Sequence, residues 1–211
     1  MKKLATLIRL LFLGLFIFLV IQGKPMLWLA LFGVGLLSTI LFGRYYCGYI
    51  CPMNTVMRPA DWLAKKLGTQ TKHTPRFLQR GTFAWIALVG SAVLVIALRR
   101  FAGVQFPFLL VWLALAALIT LRYRPAVFHN LICPFGAPLK LVGKLSRRSQ
   151  FVMSEECIGC GKCIKPCPSN AITIEKGSRV ATIDTQICHQ CQDCSAGCPV
   201  DAIKYTHIVR Q

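Results

Sequence analysis

The sequence predicts an α-helical membrane domain joined to a small α+β domain rich in cysteine, and three observations predict it. Of 211 residues, 55% are hydrophobic and only 15% charged, and the apolar residues come in long uninterrupted runs. Lysine and arginine number 25 against 7 acidic residues, a formal net charge of +18. In so hydrophobic a chain that imbalance points to segments flanking a lipid bilayer before it points to nucleic acid. Of the 11 cysteines, most crowd into residues 157–198. This composition excludes a disordered chain and argues against an ordinary soluble domain.

Four apolar stretches, Leu4 to Ile21, Met26 to Phe42, Phe83 to Leu98 and Val104 to Leu121, read as spanning helices. Several sit at the short end of the spanning range, so snorkelling of Arg9 toward the lipid surface is expected. The turns Gln22 to Pro25 and Arg99 to Gly103 are tight and make two antiparallel hairpins. Lys2 and Lys3 stand ahead of the first stretch, but its apolar run is long and no small-x-small cleavage site follows, so it reads as an uncleaved helix. Trp28, Trp85 and Trp112 read as packing or lipid-facing residues.

Orientation follows from the positive residues. The loop 44–80 carries Arg44, Arg58, Lys65, Lys66, Lys72, Arg76 and Arg80, and the segment after the fourth stretch carries Arg122, Arg124, Lys140, Lys144, Arg147 and Arg148. The other side has Lys24, Arg99 and Arg100. A multi-pass protein of the cytoplasmic (inner) membrane is expected, with both termini and the cysteine-rich domain in the cytoplasm. Asp61 is the only acidic residue before Glu155, which argues against a proton path through the spans. His73, His129, His189 and His207 all fall outside the predicted spans, which argues against a haem held inside them.

The membrane part looks duplicated. Cys47-Gly-Tyr-Ile-Cys51-Pro52 follows the second stretch and His129-Asn-Leu-Ile-Cys133-Pro134 the fourth. Each continues through a further proline, Pro59 or Pro138, into a short amphipathic segment suited to the lipid surface. Trp62, Leu63 and Leu67 oppose Asp61, Lys65 and Lys66 in one; Leu141, Val142 and Leu145 oppose Lys140 and Lys144 in the other. A helical turn would bring Cys47 and Cys51 to one face, and likewise His129 and Cys133. Three thiols and an imidazole suit a thiophilic metal such as copper(I), zinc or iron, or else a redox-active thiol pair; the alternative is small residues at proline-stopped helix ends.

Residues 157–168 read Cys157-x2-Cys160-x2-Cys163-x3-Cys167-Pro168, and residues 188–199 repeat this as Cys188-x2-Cys191-x2-Cys194-x3-Cys198-Pro199. This is the spacing of bacterial two-cluster ferredoxins, in which the fourth cysteine of each run serves the other cluster. One [4Fe–4S] cluster is therefore expected on Cys157, Cys160, Cys163 and Cys198, and a second on Cys188, Cys191, Cys194 and Cys167. Paired zinc sites would need longer spacers between cysteine pairs, and a disulfide framework an oxidising compartment. Strands are expected at Phe151 to Met153, Ala171 to Ile174, Arg179 to Ile183 and Ala202 to Tyr205, with a turn over Glu175 to Ser178. His189, inside the second run, reads first as a loop histidine with no cluster role, and as the alternative a residue that tunes its cluster by hydrogen bonding or charge.

With four spanning helices, tandem Cys-Pro motifs and a two-cluster ferredoxin, the chain resembles the membrane-bound polyferredoxin family over nearly its whole length. That family includes the quinol-oxidising membrane subunit of periplasmic nitrate reductase systems, the membrane core of nitrous-oxide reductase regulatory flavoproteins and copper-reducing oxidase assembly proteins. The chain departs from the pattern at His129, which stands where the second motif would have its first cysteine. The expected fold class is thus four transmembrane helices in two pseudo-repeated hairpins (residues 1–150) plus a small α+β bacterial-type ferredoxin domain (residues 151–211).

No phosphate loop, dinucleotide fingerprint or substrate-binding triad appears. The expected function is membrane-anchored electron transfer between the quinone pool or a low-potential donor and a redox partner protein, as a subunit of an oxidoreductase system. Two alternatives stand beside it. One is a copper reductase or maturation factor using Cys47, Cys51, His129 and Cys133; the other is a redox-sensing regulatory membrane protein. Expected partners are membrane lipid, a redox protein and quinone, with no nucleic acid.

Overall fold

The computed structural model describes residues 2–71, 74–79, 81–103, 106–175 and 177–208. Lys72, His73 and Arg80 of the basic loop, Val104 at the expected start of the fourth span, and Lys176 in the expected turn lie outside the described residues.

The chain opens with an apolar hairpin, α1 (Lys2–Ile21) and α2 (Pro25–Phe42). Then follow α3 (Pro52–Leu67), the short α4 (Arg76–Gln79), α5 (Thr82–Ala97), α6 (Phe108–Arg122), the single turn α7 (Pro125–Val127) and α8 (Gly136–Gly143). Three segments are long and apolar enough to cross a membrane: Lys3–Ile21, Pro25–Phe42 and Thr82–Ala102, the last including a wider turn at its end. The fourth expected span is shorter than the sequence suggests. Pro107 caps α6, which has 15 residues, or about 22 Å of helix against a hydrocarbon core of about 30 Å.

Two stretches depart from the α-helical turn expected around the Cys-Pro motifs. Tyr46–Ile50 and Phe128–Ile132 are each one turn of π-helix. The N–H of Cys51 bonds to the Tyr46 carbonyl, and that of Cys133 to the Phe128 carbonyl, each at 2.8 Å. Both cysteines then leave the turn in nearly the same extended conformation (φ −62°, ψ 119° and φ −60°, ψ 118°). The following proline is the cause: its ring bars α geometry in the residue before it, and it has no N–H to continue the ladder. The two halves thus repeat in backbone as well as in sequence.

Arg9 does not snorkel. It is 4% exposed, donates Nε–H to the Gly48 carbonyl at 2.8 Å and lies 5.3 Å from the centre of the Tyr49 ring. Pro52, four residues beyond Gly48, has no N–H to give that carbonyl, so the guanidinium finds an acceptor inside the protein.

The membrane core gathers Phe16, Trp28, Tyr46, Met53, Met57, Phe128 and Leu139 with Cys47, Cys51 and Cys133. Edge-on ring pairs, Phe16 with Trp28 and Phe32 with Tyr46 and Phe135, tie α1, α2, the first π-turn and the start of α8 together. The chain after α3 then folds back on the end of α6. Thr69 Oγ1 donates to the Leu121 carbonyl at 2.8 Å, and Gln70 Nε2 to the Thr120 carbonyl at 3.0 Å. Trp62, Leu63 and Leu67 of α3 remain exposed, as do Leu141 and Leu145 at α8.

The cysteine-rich domain has two small antiparallel sheets. In one, β1 (Arg148–Val152) pairs with β4 (Ile203–His207); in the other, β2 (Ile172–Ile174) pairs with β3 (Ala181–Ile183). Val152, Ile172, Ala181 and Ile203 form its core together with Cys163 and Cys194. The two cysteine loops match residue for residue in backbone. Gly159 and Gly161 (φ +69° and +67°) have Gln190 and Gln192 (φ 55° and 59°) as counterparts, and Asn170 and Asp201 (φ 52° and 48°) correspond likewise. A left-handed residue with a side chain costs roughly 1–2 kcal/mol. At Gln190 the amide offsets that cost: Oε1 accepts from the Gln150 N–H at 3.0 Å and Nε2 donates to Ser149 Oγ at 2.7 Å.

Candidate metal centres

The eight clustered cysteines separate into two sets of four. Cys157, Cys160, Cys163 and Cys198 line one cavity, walled by Val152, Ile158, Ile174, Ala181, Val200 and Ile203. Cys167, Cys188, Cys191 and Cys194 line another, walled by Gln150, Ser169, Ile172, Ile183 and His189. The fourth cysteine of each run thus reaches across to the other run's cavity, because the extended Cys-Pro step carries it away from its own loop.

The donor sets fit iron–sulfur cubes. Each cavity offers four thiols from three loop positions and one crossover, in a mainly apolar wall. The Ala171 N–H points at Cys167 Sγ at 3.3 Å, a backbone dipole that favours a thiolate. Among the described residues, no three His, Cys, Asp or Glu side chains come close enough to share a single metal ion. A single ion draws its ligands to about 2.0–2.3 Å, whereas thiolates at the corners of a cube stand well apart.

The two cavities differ in surroundings. Cys160 and Ile158 of the first are exposed, while Cys188 and Cys194 of the second are buried. Several contacts between the membrane core and the small domain reach the second cysteine run or the residues just before it. Arg44 Nη1 donates to the Gln186 carbonyl at 3.2 Å, Arg58 pairs with Asp193 at 2.5 Å, and His129 meets His189 edge-on with ring centres 4.5 Å apart. Asn130 Nδ2 adds a bond to the Ser169 carbonyl at 2.8 Å. Gly48 makes the closest approach: a Cβ there would lie 2.3 Å from the His189 carbonyl oxygen. The second cavity is therefore the inner one, set on the membrane core, and the first is the outer one.

Beneath the seam the sequence-expected quartet comes together only in part. Cys47, Cys51, Cys133 and His129 are all buried, beyond the ends of the apolar helices. Burial pushes the Cys133 thiol up to about 12, with Cys47 adding to the rise, and pushes Cys51 up in the same way. Burial and the nearby Arg44 guanidinium hold His129 down to about 3. Cys51, Cys133 and the imidazole are therefore neutral at pH 7 and do not converge on one point. His129 Nε2 has no hydrogen-bond partner, nor has either nitrogen of His189.

Three further residues belong to this region and carry no motif. Arg44, 1% exposed, places Nη2 3.6 Å from Cys47 Sγ; in the sequence it reads as one of the flanking positive residues. Asn54 is 1% exposed with Nδ2 unpartnered, on the wall of a cleft of ≈ 850 Å³ that also takes in Arg58, Gln70, Arg124, Cys167 and Asp193. Gly48 is the third. The proline bounding each π-turn is the only local signal that these positions are turned inward.

Paired four-cysteine cavities in a two-sheet domain, seated on apolar helices, define a membrane protein of ferredoxin type. A family model for a 4Fe-4S dicluster domain matches residues 150–205, and one for a 4Fe-4S binding domain matches residues 24–70 and again 105–151, one match over each Cys-Pro repeat. The chain belongs to the membrane-associated 4Fe-4S ferredoxin-type polyferredoxin family.

The methylamine utilization ferredoxin-type protein MauN of Paracoccus denitrificans is 30% identical over 67% of this chain and 54% of its own length. The ferredoxin-type protein NapH of Haemophilus influenzae is 27% identical over 81% of this chain and 65% of its own. A ferredoxin of Methanocaldococcus jannaschii is 37% identical over 25% of this chain and 71% of its own. The chain thus spans about half to two thirds of the length of the ferredoxin-type proteins MauN and NapH. No solved structure matches it.

Proposed function

We propose that the chain passes electrons between the quinone pool or a low-potential donor and a redox partner protein, at the cytoplasmic face of the inner membrane. Residues 1–150 serve as the four-span core, with α6 reaching across by local thinning of the bilayer, and residues 151–211 as the ferredoxin domain. The observation that carries this reading is the series arrangement: an exposed outer cavity, an inner cavity behind it, and a large cleft beside the inner ligand Cys167. Cys157, Cys160, Cys163 and Cys198 hold one cluster, and Cys188, Cys191, Cys194 and Cys167 the other. Clusters so bound would exchange one electron at a time, splitting a two-electron donor into single steps. Apolar walls exclude water from both cavities, and Asn54, whose Nδ2 is buried and unpartnered at the cleft wall, would turn into the cleft to donate to a quinone oxygen.

The test is quinol-driven reduction of the full chain in anaerobic proteoliposomes, followed by EPR. Reduction of the wild type is expected, and Asn54→Leu should slow it about tenfold, the worth of one hydrogen bond of about 1.4 kcal/mol. A wild-type protein that quinol leaves oxidised, or an Asn54→Leu rate equal to wild type, counts against the cleft as the quinone site.

The unpartnered Nε2 of His129 among three buried thiols favours a second reading, copper reduction at Cys47, Cys51, His129 and Cys133. Binding would draw the thiols together and release their protons. Cys51→Ser with Cys133→Ser separates the two readings. Loss of copper(II) reduction with both cluster signals intact supports the metal reading; loss of quinol-driven cluster reduction supports the relay alone.

A further inference from the structure

The charges around the two cavities are unequal. Arg9, Arg44 and Arg58 come from the membrane core, and all three are on the inner side. Arg9 holds the Gly48 carbonyl, and Gly48 lies against His189 and Cys191. Arg44 reaches from Cys47 Sγ to the Gln186 carbonyl, two residues before Cys188. Arg58 holds Asp193, between Cys191 and Cys194. Arg9 and Arg44 are 4% and 1% exposed, and neither makes an ion pair among the described residues.

The opposing charges on this side are Asp193, already tied to Arg58, and the exposed Asp184, whose carboxylate accepts from the Gln186 N–H at 2.9 Å. Three guanidinium groups, two of them buried, therefore face two carboxylates, one ion-paired and the other open to solvent. Around the outer cavity the charged side chains Glu155, Glu156, Lys162, Lys165, Arg179, Asp201 and Lys204 are exposed, of both signs, and Lys204 pairs with Glu156 at 2.7 Å. Water and salt screen such charges within about 10 Å, whereas buried ones act at low effective dielectric.

Reducing a cube adds one negative charge to it, so a buried cation nearby favours the reduced form. We infer that Arg9, Arg44 and Arg58 hold the inner cluster at a higher reduction potential than the outer one, which sets the direction of electron flow inward. The inference rests on the two-cluster relay proposed above and deepens it. The step is a one-electron exchange: the reduced outer cluster is oxidised, the oxidised inner cluster is reduced, and no bond or proton moves. Of the two donors named for the relay, this order selects a low-potential one-electron carrier, docking where Cys160 and Ile158 are exposed, and makes the membrane side the acceptor. The three arginines are positioning residues, acting on the cluster through the field.

The test is an anaerobic redox titration of the full chain in detergent, read by the EPR signal of each cluster. The signal missing from Cys188→Ala identifies the inner cluster. In the wild type the inner cluster should titrate at the higher potential. Arg44→Gln should lower the inner midpoint alone, cutting the equilibrium constant between clusters about tenfold, or about 59 mV for one electron. Asp193→Asn should raise the same midpoint, a sign that a purely structural disturbance would not produce. Should Arg44→Gln not accumulate, Arg58→Gln serves in its place, since removing it unmasks Asp193 and should lower the midpoint. An outer cluster at the higher potential, or shifts of the same sign in the opposed variants, overturns the inference. Absence of both cluster signals together with iron would instead defeat the relay itself.

Discussion

Replacing Cys167 with alanine is expected to empty the cavity of the other cysteine run. Cys167 sits four residues beyond Cys163, yet its sulfur lines the cavity of Cys188, Cys191 and Cys194. The variant should lose about four of about eight irons per chain, with matching acid-labile sulfide, and the same EPR signal that Cys188→Ala removes. Cys198→Ala should remove the other signal. The effect is large because three thiolates leave one corner of a cube open, and because the free energy of metal binding is part of the folding free energy of so small a domain. If Cys167→Ala and Cys163→Ala instead remove one signal between them, the crossover assignment is wrong.

The second large effect should come from a single methyl group. Gly48→Ala places a Cβ 2.3 Å from the His189 carbonyl oxygen and 3.3 Å from Cys191 Cα. These are backbone atoms, so no side chain can swing aside and the seam itself must open. Overpacking of this kind costs roughly 1–3 kcal/mol, spent where the ferredoxin domain meets the π-turn. The clash falls on two residues that line the inner cavity, so the inner cluster's dithionite-reduced EPR signal should change while the outer cluster's stays as in wild type. Electron exchange between the clusters and the quinone pool, in either direction, should fall more than tenfold. Gly33→Ala is the control, since nothing lies within 4 Å of a Cβ there, and it should behave as wild type. Equal rates in the two alanine variants would show that this contact does not carry the coupling.

The parts of this architecture that were legible in the sequence are those encoded by spacing. The cysteine runs repeat over short intervals, and the apolar runs mark α1, α2 and α5 to within one or two residues. The duplicated Cys-Pro motifs likewise anticipate the twofold match of one family model. What escaped depends on contacts between distant segments. A four-residue spacing reads as an α-turn, whereas the backbone around both Cys-Pro motifs makes a π-turn. Arg9 reads as a snorkelling cation because the carbonyl that captures it belongs to residue 48. Arg44 reads as one flanking charge among many until Gln186 is known to lie beside it. Gly48 has no meaning until the small domain is seated on it. Pro107 shortened α6, a stop that an unbroken run of apolar residues conceals.

Arg44 bears on biogenesis. Its guanidinium is shut away from water by two bodies made at different times, since Gln186 is synthesised 142 residues after it. The helices enter the bilayer first, leaving a cationic seat open to solvent until the tail has received its iron and folded. A tail that fails to fold would leave that guanidinium without the Gln186 carbonyl and open to water.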